Sequence, residues 1–305
     1  MDFWAIEEEV KEEIRQGQKQ LTLFMLGGVD VGKTYAVTSI ANRFYTQGLK
    51  VAVVDADVGQ SDIGPPCCIG MGILEKGIQK LSEVPLHSLF FVGNTSPNGC
   101  TRECVRGAAV AVKKAKELNA DVIIVDSTGW IEGEDAKRFK LFEIKEIDPS
   151  FVVAIEKEDE LEHILPHLNK ILKVIKLRMS REARGRTREE RKALREEAYN
   201  KYFRAAKDRV FELSILERIP EEGTLLGLFD GKNKSKSEND EKEIVGLGIL
   251  RQLDYVSGEA VVFTPVDAGA GDDIIIKRIK TGRVKLIRAN GGFKEEVIYN
   301  PSEYL

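Results

Sequence analysis

The chain has 305 residues, 42% of them hydrophobic, which is enough apolar material for a sizeable core and excludes an intrinsically disordered chain. A formal net charge of −4 gives no overall nucleic-acid signature, and no apolar run is long enough to span a bilayer. Four cysteines in such a chain do not make a disulfide framework.

Residues 2–17 are predicted to form an acidic amphipathic helix. They have neither the basic start nor the apolar middle of an export signal, and a cytoplasmic protein is expected. A short apolar strand is predicted over 21–26, and a helix over 33–46. Between them, Gly27 to Thr34 reads GGVDVGKT, which fits G-x-x-x-x-G-K-[ST] in the strand-to-helix context where that pattern cradles phosphates. The backbone N–H groups of Val29, Asp30, Val31, Gly32 and Lys33 can turn inward, and the helix N-terminus adds partial positive charge. Lys33 is expected to reach the outer phosphates of a nucleotide and the Thr34 hydroxyl to ligate Mg²⁺, within a site running from Gly28 to Tyr35.

The next strand, 50–55, ends in Asp55-Ala-Asp57-Val-Gly59-Gln60. Asp55 and Asp57 share a side if the strand persists, because side chains alternate. One carboxylate can hold Mg²⁺ through water, and the other can take a proton from an attacking hydroxyl. Gly59 permits a sharp turn, and Gln60 offers an amide at its mouth. A strand at 88–92 leads into Gly93-Asn-Thr-Ser-Pro97, whose small polar residues suit a binding loop. Helices are expected over 105–118, 134–144 and 158–170, and strands over 121–126, 151–155 and 172–177. The strand at 121–126 runs into Asp126-Ser-Thr128-Gly-Trp130. Asp126 or Thr128 can sense the γ-phosphate or position Mg²⁺. Trp130 can stack on a base or fill the core. Cys100 and Cys104 have no further ligands nearby in the sequence to make a zinc site.

Apolar strands alternating with helices predict an α/β fold: a parallel sheet covered on both faces, with ligands at the carboxyl ends of its strands. From Lys170 to Arg188 eight basic residues face one acidic one, a local +7 that suits a solvated face or a phosphate site. A long helical run is expected over 187–208. From Gly223 onward the pattern changes to strands at 224–228, 243–250, 259–264, 274–278 and 283–288, a small β domain with a polar loop at 231–240.

Together these segments resemble the polynucleotide 5′-hydroxyl kinases of RNA processing, the family related to the kinase subunit of the pre-mRNA cleavage complex. The resemblance rests on the loop Asp30-Val-Gly-Lys-Thr34, on Asp55-Ala-Asp57-Val-Gly-Gln60 (the family's D-x-D-x-G-Q), on Gly93-Asn-Thr-Ser-Pro97 and on Ser127-Thr-Gly-Trp130, in that order. More loosely, Arg184-Gly-Arg-Thr-Arg188-Glu-Glu-Arg191 resembles the family's lid with its R-x-x-x-R pair. About twenty residues precede the first strand, where larger eukaryotic members carry a β domain, so the likeness is to a short, archaeal-like form. The resemblance implies a P-loop NTPase fold with an N-terminal helix (1–20), a kinase domain (21–210) with a lid at about 178–195, and a C-terminal β domain (223–305). It implies ATP and Mg²⁺ as cofactors and RNA, or DNA, with a 5′-hydroxyl end as partner. Lys33, Asp57, Arg184 and Arg188 would be catalytic, Thr34 and Asp55 would hold the metal, and Gln60, Thr128 and Trp130 would hold the terminal nucleotide. A hydrolysing ATPase switch and an ATP-holding scaffold are the rival readings. The arginine pair and Trp130 favour the kinase.

Overall fold

The central strands are built from Val, Ile, Leu and Phe, which fit a pleated and buried surface, and their charged residues stand only at the carboxyl ends. The structure is a computed structural model that describes residues 3–168, 172–179, 185–231, 243–267, 274–289 and 291–298. In chain order its elements are α1 (Trp4–Arg15), β1 (Leu21–Gly27), α2 (Lys33–Thr46), β2 (Val51–Ala56), β3 (Cys68–Ile73), β4 (Leu86–Phe91), α3 (Thr101–Glu117), β5 (Val122–Ser127) and α4 (Gly133–Ile147). Then come β6 (Phe151–Glu156), α5 (Leu165–Leu168), β7 (Lys173–Arg178), α6 (Arg188–Tyr202), β8 (Lys207–Glu212), β9 (Thr224–Asp230), β10 (Gly246–Asp254), β11 (Glu259–Thr264), β12 (Ile276–Ala289) and β13 (Gly292–Val297).

Among the described residues the first sheet has seven strands in the order β4-β3-β2-β5-β1-β6-β7. Strands β2, β5, β1, β6 and β7 run parallel, while β3 and β4 extend the β2 edge by antiparallel pairing. Helices cover both faces: α1 and α2 on one, α3, α4 and α5 on the other. Helix α1 docks through Ile6 and Val10, both fully buried. Burying each such side chain contributes roughly 1.5–3 kcal/mol, more than the exposed Glu7–Arg43 ion pair beside them, worth about 1 kcal/mol at most.

The second sheet is antiparallel, ordered β13-β12-β9-β10-β11-β8. It leans on the first: Leu89 and Phe91 of β4 and Cys67 and Cys68 join Leu225, Phe229, Leu247 and Ile249 in one apolar cluster. Gly227 and Gly282 make room for the Phe91 ring, since a Cβ at either would lie 2.6 Å and 3.2 Å from it. At the β13 edge, α6 stands in for a missing strand. The Phe293 N–H donates to Asn200 Oδ1 (2.7 Å) and the Glu295 N–H to Glu196 Oε1 (3.1 Å). Four residues of helix rise about 6 Å and two residues of strand about 6.8 Å, so the two spacings match.

Several elements depart from the sequence reading. Among the described residues, the run expected to be helical over 158–170 yields only Leu165–Leu168, with 169 and 170 outside them, because the Glu160 carboxylate takes the Lys157 and Glu158 N–H groups and ties 157–160 into a turn. The run over 187–208 ends at Tyr202 and gives way to β8. Strands β3 and β13 appear where none was expected, and the expected strands at 274–278 and 283–288 merge, from Ile276 onward, into one strand, β12, with an irregularity between Thr281 and Lys285. Of the expected polar loop at 231–240, residues 232–240 lie outside the described residues.

Candidate functional site

The site lies at the carboxyl ends of β1, β2 and β5. Gly27 closes β1 hard against β6, where a Cβ would lie 2.5 Å from the Ile155 carbonyl. The loop then reverses through left-handed backbone at Asp30 (φ 59°) and Gly32 (φ 89°) and enters α2. Gly32 is the N-cap residue and supplies no side-chain cap, so the first N–H groups of α2 are not closed off by their own cap residue. Lys33 is buried and donates to the Gly28 carbonyl at 2.6 Å. Burial lowers its pKa, opposed by the carboxylates of Asp126, Asp57 and Asp30. Val29 and Tyr35 flank the loop and are exposed, while Val31 is buried beneath it.

Thr34 Oγ1 donates to Asp126 Oδ2 at 2.8 Å. Asp126 is the penultimate residue of β5, in register with Met25 on one side and Asp55 on the other. Burial pushes its carboxyl up to about 7, against the pull of Lys33 and the Thr34 hydroxyl. Its other oxygen, Oδ1, is buried without a hydrogen-bond partner. A buried oxygen in that condition, beside a threonine hydroxyl at the head of a phosphate loop, fits a divalent cation.

Asp55 is occupied differently from the expectation. Its Oδ2 accepts from the backbone N–H groups of Asp62 (2.6 Å) and Ile63 (2.9 Å), and its Oδ1 from Asp57 N–H (3.2 Å). Burial, Asp126 and Asp62 raise its pKa well above the usual range. Asp55 therefore ties down the turn that follows β2, and Asp126 holds Thr34. Asp57, only half-buried, accepts from Gly59 N–H (3.1 Å) and Gln60 N–H (3.2 Å) through Oδ1, folding the turn around itself. A Cβ on Gly59 would lie 2.7 Å from the Thr95 carbonyl, so this turn abuts the 93–97 loop.

Thr128 is buried, and Gly129 brings its segment onto the phosphate loop, where a Cβ would lie 2.8 Å from Val29 backbone. Trp130 is half-buried, with its ring centroid 5.6 Å from that of Phe139 and its apolar surface against the core. Gln60 donates to the Arg191 carbonyl at 3.2 Å.

Arg184 lies outside the described residues, as do Lys170 and Arg181 of the basic block. Arg188 is the first residue of α6 and is exposed. The helix starts there because Thr187 and Glu190 form a capping box. Two further arginines face the site: Arg191, which closes the expected lid segment, and Arg195, one turn beyond it. The Arg191 guanidinium pairs with Asp30 Oδ2, which also accepts from Arg186 N–H at 2.9 Å. One turn later, Arg195 Nη1 reaches the Gly59 carbonyl at 3.5 Å. The spacing R-x-x-x-R occurs at 191/195 as well as at 184/188, and the T-x-x-E box at 187–190 marks the start of the helix that carries Arg188, Arg191 and Arg195.

Residues 27–205 match the family described as mRNA cleavage and polyadenylation factor CLP1 P-loop. A polyribonucleotide 5′-hydroxyl-kinase of Methanocaldococcus jannaschii is 39% identical over 196 residues, covering 64% of this chain and 53% of that protein. The kinase of the same description from Pyrococcus furiosus is 35% identical over 71% of this chain and 58% of its own length. That of Pyrococcus horikoshii is 30% identical over 88% and 72%. The chain thus spans little more than half the length of the first two. In fold it is similar to Clp1p in its wild-type complex with Pcf11p, with a TM-score of 0.70 at 11% identity, covering 93% of this chain and 78% of that one. Among the described residues no helix is long and apolar enough to cross a membrane.

Proposed function

The chain belongs to the CLP1 P-loop family, and from that membership we propose that it is an ATP-dependent kinase that phosphorylates the 5′-hydroxyl end of polyribonucleotides. The observation that carries this reading is the separation of the acids. Asp126 stands with Thr34 at the phosphate loop, whereas Asp57 stands half-exposed in its own turn and is free of the Thr34 contact. One acid then serves the nucleotide and the other serves an acceptor.

Phosphoryl transfer needs positioning and charge neutralisation more than covalent help. The amides of Val29 to Lys33 cradle the phosphates, and Lys33 leaves the Gly28 carbonyl to meet the β- and γ-phosphates. Thr34 and Asp126 would hold Mg²⁺, which when bound neutralises phosphate charge. Asp57 accepts the proton of the 5′-hydroxyl as the bond from its oxygen to Pγ forms and the bond from Pγ to the β-phosphate oxygen breaks, releasing ADP. Gln60, Thr128 and Trp130 line the acceptor side. Arg191 and Arg195 add to the lid expected at Arg184 and Arg188, of which Arg184 lies outside the described residues.

The test is ATP turnover with and without a 5′-hydroxyl oligoribonucleotide. Label from γ-labelled ATP is expected on the oligonucleotide 5′ end. Phosphate release at the same rate without an acceptor, and no labelled oligonucleotide, would make the protein a hydrolysing switch.

A further inference from the structure

The C-terminal sheet reaches into this site through one carboxylate. Glu295, on the edge strand β13, is 2% exposed, and its partner Arg195 is 15% exposed at the side chain. The contact is a two-pronged fork, with Arg195 Nε to Oε2 at 2.7 Å and Nη2 to Oε1 at 2.7 Å. A guanidinium is planar, so two fixed nitrogens fix the direction of the third. That third nitrogen, Nη1, lies 3.5 Å from the carbonyl of Gly59, in the turn that carries Asp57.

We propose that Glu295 is a positioning residue for phosphoryl transfer: it aims Arg195 at the Asp57–Gln60 turn, so that the C-terminal sheet completes the active site. This role rests on the kinase activity proposed above. Packing alone does not call for the pair. A buried ion pair recovers little beyond the cost of stripping water from two charges. The docking of α6 on β13 is already secured by Glu196 with the Glu295 N–H and by Asn200 with the Phe293 N–H. What the fork adds is direction. A lone arginine carries many rotamers, whereas one clamped by Glu295 holds its charge and its donor beside the turn that orients the base.

Single-turnover transfer to a 5′-hydroxyl oligoribonucleotide, with the full chain, tests this. Glu295→Gln keeps the shape and loses one charged prong, so the transfer rate should fall by about tenfold or more while the KM for ATP stays within about twofold. Arg195→Lys, which keeps the charge but not the fork, should lose a similar factor. Adding Glu295→Gln to Arg195→Ala should cost nothing further, because the glutamate acts only through the arginine. A wild-type rate in Glu295→Gln, with or without a lower melting temperature, would reduce the pair to packing and overturn the proposal. So would a full additional loss in the double variant, or an Arg195→Lys protein as fast as wild type. If instead the wild-type chain labels no oligonucleotide, the kinase reading itself fails, and that outcome is separate from a defect confined to the variants.

Discussion

At the scale of single residues, two buried strands each deliver an aspartate to the site, and the sequence shows both. It does not show which one the chain will cover. Asp55 and Asp126 are register partners, and the difference is that the turn after β2 folds back and gives the N–H groups of Asp57, Asp62 and Ile63 to Asp55. That closure is tertiary, so local spacing cannot reveal it. Lys33 and Thr34, by contrast, open α2 directly after the phosphate loop, and Asp57 lies one residue past the end of β2, in the turn rather than on the strand. Asp57→Asn should keep ATP affinity near wild type and slow transfer by about 10²–10⁴-fold, the range of general base catalysis. Nucleotide titration beside single-turnover labelling checks it, and a variant near the wild-type rate would remove the base role. Asp126 makes a pH prediction. Folding raises its pKa from 3.8 to about 7. Between those values the folded protein holds a proton that the unfolded chain has released, so this group's contribution to stability falls as pH rises from about 4 to about 7. Asp126→Asn should flatten the wild-type decline in melting temperature across that window, measured without nucleotide. An unchanged slope would remove Asp126 as its source.

At the scale of elements, periodicity located the strands around the site well. It failed where glycine or side-chain ties replaced apolar pattern. Strand β3 reads as loop because it carries Gly70 and Gly72, yet both glycines are required there: a Cβ would lie 1.7 Å from the Ile63 carbonyl and 2.4 Å from that of Pro85. The lid helix was legible as a helix. Its start, and therefore which arginines face inward, depended on the capping box at Thr187. A comparison of alanine variants follows. Arg191→Ala breaks the pair with Asp30 and should slow transfer by about tenfold or more, in the range of other groups that stabilise transition-state charge. Arg188→Ala, exposed at the helix start, should stay within about twofold. Equal losses in the two variants would give Arg188 an equal share in the lid.

At the scale of the molecule, the two sheets share a core. Cys67 Sγ lies 3.0 Å from Tyr199 Oη, and Phe91 from the first sheet packs among Leu225, Phe229 and Leu247 from the second. Scanning calorimetry should therefore show one cooperative transition, and two resolved transitions would mean that the sheets fold apart. The composition and the change of pattern near Gly223 foreshadowed a second sheet, but not this mutual burial, which depends on glycines opposite one phenylalanine ring. The pairing of Asn200 and Glu196 with β13 carries a last consequence, for the protein as a solute. An open strand edge is a template on which another chain can add. In this molecule the helix that bears the lid arginines also plugs that edge, through Asn200 and Glu196, with the N–H groups of Phe293 and Glu295 on its side chains. Changes in α6 thus risk self-association as well as lost catalysis. Asn200→Ala should leave the arginines in place yet shift the protein toward dimers and larger species as its concentration rises, visible by light scattering coupled to size-exclusion chromatography.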